Sequence, residues 1–347
     1  MARKPTAEQI ATFQALLEGA EAEVRDAFVA AVYSARARID LGALIALLEA
    51  GDIDGALNML RMDQGLLWPL EEAVRRSYLA GGSAVDALAP RGTAGAFGFN
   101  GRHWRAEAAI SRLGADLVVQ IEREQVQAIR AVALDGVQTG RGSRPMALDI
   151  TGRLNRATGR REGGIIGLTG ETADTLIRAR AILSNPARLR EYFVIDRATG
   201  KRKPRFALSD ARYLSRVAKA AKEGRSLSHA EIDRIMDGHK NRALAYRGKL
   251  IGRNEAHTAQ AAGRHEAYLQ MLDQPDIEAV TVKWIHGFSR EPRPDHKRMD
   301  GETRPIGQPF IMDDGAAMAY PHDPAGGVRH SASCRCTAFY RAIPRRT

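Results

Sequence analysis

Residues 10–32 read IATFQALLEGAEAEVRDAFVAAV, and the fold class follows from how this stretch repeats. Ile10, Phe13, Leu17, Ala20, Val24, Phe28 and Val32 recur every three or four residues, which places them on one stripe of an α-helix. Glu18, Glu23, Arg25 and Asp26 fall off that stripe. Thr6, with Glu8 and Gln9 behind it, supplies a helix start, so the spacing predicts one helix of about 30 residues. The stripe reads as intramolecular core rather than as a coiled-coil seam. Outward from it the pattern repeats: Leu41 to Ala50, Asp54 to Met62 after the break at Gly51-Asp52, and Leu67 to Leu79. Links this short favour antiparallel packing. Residues 81–102 interrupt the series with Gly81-Gly82, Pro90-Arg91-Gly92 and the run Gly95 to Gly101, and read as a loop whose Phe97 and Phe99 anchor it. A second long helix is expected from Trp104 to Leu134, carried by Ile110, Leu117, Ile121 and Ile129.

Charge divides the chain more sharply than hydropathy does. The net charge is +11 over 347 residues. Residues 141–253 hold 26 basic and 11 acidic side chains, net +15, whereas residues 1–90 are net −5. A block of this sign suits a polyanion, because neutralising phosphates releases condensed counterions. Within it, residues 136–164 read as a flexible loop, with Arg153, Arg156, Arg160 and Arg161 spaced among glycines so as to follow a phosphate chain without reading bases. Lys201, Arg202 and Lys203 form a second candidate cluster beside a tight turn at Asp196 to Gly200, between strands expected at Tyr192–Ile195 and Arg205–Ala207. Helices are expected over Glu171–Leu183 and from Ser209 to Glu223, the latter ended by Gly224. Ser228 and Glu231 form a capping box opening a helix to about Leu272, with breaks expected at Gly248 or Gly252. No apolar run approaches the roughly 18 residues of a spanning helix. No apolar signal core follows the basic start, so no membrane partner is expected. Cys334 and Cys336 are too close in sequence for an unstrained bridge, and a reducing compartment is the expectation.

The last 75 residues change character. Val280 to Ile285 is β-branched and aromatic and reads as a strand. Thr337 to Ile343 reads as a closing strand, and the expected fold is mainly α, with helical N-terminal and middle regions and a small α+β C-terminal domain. The blocks read as 1–90 (helical, acidic, docking), 91–140 (linker and long helix), 141–253 (basic, DNA-facing) and 254–347 (α+β).

Six short motifs follow one another here: Ile251-Gly252-Arg253-Asn254-Glu255-Ala256-His257-Thr258-Ala259; Gly263 to Tyr268; Lys283-Trp284-Ile285; Arg293-Pro294-Asp295-His296 to Gly301; Pro309-Phe310 with Tyr320 to Pro324; and Cys334-Arg335-Cys336-Thr337. In order and spacing they resemble the C-terminal domain of the phage Mu F-like minor head proteins, or phage head morphogenesis proteins, over about residues 250–344. The resemblance implies a virion protein near the portal vertex that aids head assembly. It implies portal and major capsid or scaffolding proteins as partners, a place inside the capsid, and the host cytoplasm during assembly. With the charge, it makes non-specific double-stranded DNA a further partner. The motif residues Trp284, Arg293, His296, Gly301, Cys334 and Cys336 are expected to be structural, with no catalytic residue, metal or cofactor. Two alternatives stay open. His296, His330, Cys334 and Cys336 carry the donor types of a zinc site, with His322 nearby in sequence. A metal-dependent nuclease or toxin could use His296, Asp300, Cys334 and Cys336.

Overall fold

A computed structural model of the chain describes residues 7–86, 97–287 and 293–345, with side chains in the first helix from Gln14 onward. The chain is mainly helical, with small antiparallel sheets. Helix α1 spans Ala7–Arg38, α2 Leu41–Glu49, α3 Ile53–Met59, α4 Gln64–Ser83 and α5 Trp104–Gln138. Helix α6 spans Ser143–Thr151, α7 Gly170–Leu183, α8 Leu214–Glu223 and α9 His229–Leu272. Among the described residues no helix is long and apolar enough to cross a membrane.

Local chemistry explains several boundaries. Asp40 accepts hydrogen bonds from the Gly42 and Ala43 amides, and Asp52 from that of Gly55, so the short helices after α1 are capped where the chain turns. The Ser228 hydroxyl accepts from the Glu231 amide at 3.2 Å, while Glu231 accepts from the Ser228 amide at 2.9 Å, the reciprocal box expected there. Helix α8 ends at Gly224, in the left-handed conformation.

Two expectations are corrected. Residues 136–164 are not a flexible loop: they hold the end of α5, all of α6, and a hairpin of β1 (Arg153–Asn155) and β2 (Arg160–Glu162). The glycines that suggested mobility serve the connections between these elements. Helix α9 runs unbroken through Gly248 and Gly252. At Gly252 a Cβ would lie 2.4 Å from the Glu21 carbonyl oxygen, and at Gly263 it would lie 2.0 Å from that of Tyr78. These glycines let α1 and α4 lie directly against α9.

The chain divides into two compact units of non-consecutive segments. The first comprises 1–28, 68–117 and 249–347. In it β5 (Ile277–Ile285) is the centre of a three-stranded antiparallel sheet, between β6 (Thr303–Pro305) and β9 (Thr337–Pro344). A short helix α10 (Pro294–Arg298), the two-stranded β7 (Phe310–Ile311) and β8 (Ala317–Met318), and helix α11 (Gly327–Ser331) fill the connection. The sheet packs on the end of α9 through Ala267, Tyr268 and Met271, with Phe97 and Phe99 against the same cluster.

The second unit comprises 29–67 and 118–248. Its aliphatic core includes Val32, Leu44, Ile129, Ile150, Ile166, Leu176, Leu189, Val217 and Ile235. A second hairpin, β3 (Phe193–Ile195) with β4 (Arg202–Pro204), projects from it. Strand β4 falls short of the Arg205–Ala207 expected from sequence.

Candidate functional sites: a buried Cys/His cluster and two basic hairpins

The C-terminal motif residues meet in one place. Strand β5 carries Trp284, fully buried, whose indole meets the His296 ring edge-on at 5.2 Å and Phe310 at 5.3 Å. Helix α10 presents His296, which is 1 % exposed. The turn before β9 presents Cys334 and Cys336, 3 % and 6 % exposed, both as free thiols. Gly301, at φ +85°, donates its amide to the Trp284 carbonyl, and Arg293 donates to the Ala332 carbonyl at 2.7 Å, tying the ends of the loop together.

His296 Nδ1 lies 3.4 Å from Cys334 Sγ and 3.6 Å from Cys336 Sγ. On its other side, Nε2 is 3.1 Å from His330 Nδ1, and His330 Nε2 is 3.0 Å from an Asp314 carboxylate oxygen. A carboxylate only accepts, so His330 donates from Nε2; with a neutral His330 ring, its Nδ1 accepts from His296 Nε2–H. In neutral His296 this leaves the Nδ1 lone pair facing the two sulfurs. The Cys334 hydrogen bond, with contributions from His296 and the Gly287 amide, holds Cys336 well below the ordinary thiol range. The same pairing with Cys336, reinforced by burial, pushes Cys334 up. Two overlapping donor sets result: His296 with both cysteines, and Asp295 with His296 and His330, each with donor atoms within 4.8 Å of one another. His322 is 4 % exposed, sits at the rare φ of +71°, and neither ring nitrogen has a hydrogen-bond partner at bonding geometry. Burial lowers its pKa to about 3, with His257, the Cys336 backbone and His296 also acting on the ring. Asp300 does not join the cluster as a proton-transfer partner for His296; its carboxylate accepts the His286 amide at 2.8 Å.

The basic residues of the second unit separate into two populations. Arg153 is turned inward: it bonds Asp237 at 3.0 Å and Asp233 at 2.7 Å. It belongs to a network around Asp149 in which Lys240 reaches Asp149 at 2.8 Å, Arg180 reaches it at 3.1 Å, and Arg141 also bonds it. Part of the block's charge is therefore spent inside the fold. Lys203 pairs with Asp196 at 3.1 Å, and Arg161, half-buried, donates to the Gly152 carbonyl.

Arg156, Arg160, Lys201 and Arg202 are exposed, and they sit on a repeat that the reading of composition missed. Residues 155–161 are Asn-Arg-Ala-Thr-Gly-Arg-Arg, and residues 196–202 are Asp-Arg-Ala-Thr-Gly-Lys-Arg. Both form the tip of a two-stranded hairpin with one geometry. The Asx side chain accepts the amide of Ala157 at 2.9 Å in one and of Ala198 at 3.0 Å in the other. The glycine amide closes the turn on the Asx carbonyl at 2.8 Å in both, with Gly159 at φ +68° and Gly200 at +67°. The repeat adds Arg197, also exposed, to the candidate contacts. The recurring Arg-Ala-Thr-Gly was the signal available in sequence.

No family model, no characterised protein and no solved structure matches the chain.

Proposed function

We propose that this chain is a minor head protein of a tailed bacteriophage, acting at the portal vertex inside the capsid and contacting packaged double-stranded DNA without sequence preference. The observation that carries the reading is the convergence of Trp284, His296, Cys334 and Cys336 from the ordered C-terminal signature into one buried cluster, in which Trp284, Cys334 and Cys336 belong to the hydrophobic core. Side chains closed in this way serve the stability of a module. That supports an assembly and binding role over a reaction centre, which needs access for a substrate.

The DNA contact is supported by the paired hairpins. Two copies of one turn display Arg156, Arg160, Arg197, Lys201 and Arg202 to solvent, while the deeper cations are neutralised by Asp149, Asp233 and Asp237. Guanidinium groups on short, rigid turns suit phosphate oxygens and carry no base readout. The acidic N-terminal helices are the proposed docking surface for portal and capsid or scaffolding proteins.

Binding of the full chain to duplexes of unrelated sequence tests the DNA contact. The expected result is equal affinity across sequences, falling steeply with salt. Affinity flat between low and moderate salt overturns it. Mass spectrometry of purified phage particles and of portal-containing procapsids tests the head assignment, which requires the chain in both. Cleavage of DNA by the purified chain, abolished in His296→Ala, would transfer the reading to a nuclease.

A further inference from the structure

The Cys/His cluster has the dimensions of a metal site. With zinc about 2.3 Å from sulfur and 2.1 Å from nitrogen in a tetrahedron, the nitrogen–sulfur separation is about 3.6 Å. The two such separations here are 3.4 and 3.6 Å. A structural core has no need for two thiols and an imidazole lone pair to face one point, since each would pack as well turned away. We propose that Cys334 Sγ, Cys336 Sγ and His296 Nδ1, whose donor atoms lie within 4.8 Å of one another, bind one zinc ion, with the Asp314–His330 pair orienting His296.

The surroundings fit a zinc shell as well as the ligands do. Metal-bound histidines almost always donate their second ring N–H to an oriented acceptor, and His296 donates Nε2–H to His330, itself fixed by Asp314. The Cys336 amide donates to Cys334 Sγ at 3.3 Å, a hydrogen bond that a ligating sulfur can accept. The three ligands are all buried and come from α10 and the turn before β9, so the role of the ion is to hold the connection between β5 and β9 in place. This inference does not depend on the phage reading or on the basic hairpins.

Metal analysis of the full chain, expressed with zinc and purified under reducing conditions without chelator, should find one zinc per chain. Cobalt added to the metal-free protein should give a thiolate-to-cobalt charge-transfer band and the visible absorption of four-coordinate cobalt. Cys336→Ser should abolish uptake. His296→Ala should weaken it at least tenfold in chelator competition, and Arg156→Ala with Arg197→Ala should leave it unchanged. If the serine variant fails to fold, the cobalt titration of the wild-type chain decides alone. Reduced wild-type protein that takes up neither metal overturns the site, as does full zinc in folded Cys336→Ser. Unchanged affinity in His296→Ala overturns the assignment of His296 as a ligand.

Discussion

Asp149 shows how much one side chain can hold. Burial alone would raise its pKa, but Lys240, Arg180 and Arg141 overcome that and keep it well below the ordinary carboxylate range. Replacing it with Asn leaves buried Lys240 and half-buried Arg141, Arg180 and Arg153 without their common counter-ion. Removing one partner of a buried ion pair costs about 3–5 kcal/mol, and Asp149→Asn should lower stability by that order in urea denaturation. The sign with pH follows from the depressed value. The stabilisation is fully present above the unfolded carboxylate pKa of about 3.9 and is lost as pH falls below it toward the folded value. The wild-type chain should therefore lose stability steeply in acid, and the Asn variant should lose less over the same interval. Arg36 is a second buried charge, lowered by burial to about 10 and still cationic at neutral pH. It donates to the Gly164 and Ile166 carbonyls at 2.8 and 2.7 Å, fixing the connection that follows the first hairpin.

At the scale of elements, α9 is the clearest case of tertiary context reversing a local preference. In an isolated helix, Gly→Ala gains up to about 1 kcal/mol. At Gly263 the added methyl would meet the Tyr78 carbonyl oxygen at 2.0 Å, and forcing extra volume into a packed contact costs about 1–3 kcal/mol. Gly263→Ala should therefore destabilise, and a stabilised variant would mean that α4 and α9 do not pack this closely. The start of the same helix behaves as its sequence suggests. Ser228→Ala removes the hydroxyl half of the capping box and should cost about 0.5–2 kcal/mol, read as a lower denaturation midpoint. The hairpins form a third case. Arg156→Ala with Arg197→Ala touches only exposed tip residues, so stability should hold while DNA affinity falls. The slope of log affinity against log salt should shrink by about 0.9 for each phosphate contact removed.

For the whole molecule, net charge overstates what a DNA partner would meet. Of the basic block, Arg141, Arg153, Arg180 and Lys240 are tied to buried or half-buried carboxylates, and Arg247 to Glu124 at 2.6 Å. With the hairpin cations Arg156, Arg160, Arg197, Lys201 and Arg202 as the contacts, the affinity of the full chain should fall on the order of 500-fold between 50 and 200 mM salt. A much larger drop would mean that further cations take part. Acidic N-terminal helices and basic hairpins in one chain suit a protein that meets both a protein lattice and a polyanion.

What the amino-acid order determined alone is whatever depends on near neighbours. The helical class follows from the stripe at Ile10 to Val32, and the box at Ser228 and Glu231 from a three-residue spacing. The strands around Trp284 and Phe339 follow from β-branched and aromatic runs. Glycine-rich composition misled at 136–164, because glycine marks turns between ordered elements as readily as it marks mobility, and α6 with its hairpin lies between those turns. Tertiary structure decided the rest. It interleaved non-consecutive segments into two units, turned Arg153 toward Asp233 and Asp237, and brought His296 to Cys334 across 38 residues of chain. These are long-range pairings, set by which buried groups satisfy one another's charge and hydrogen bonds. Local spacing in a sequence carries no record of that choice.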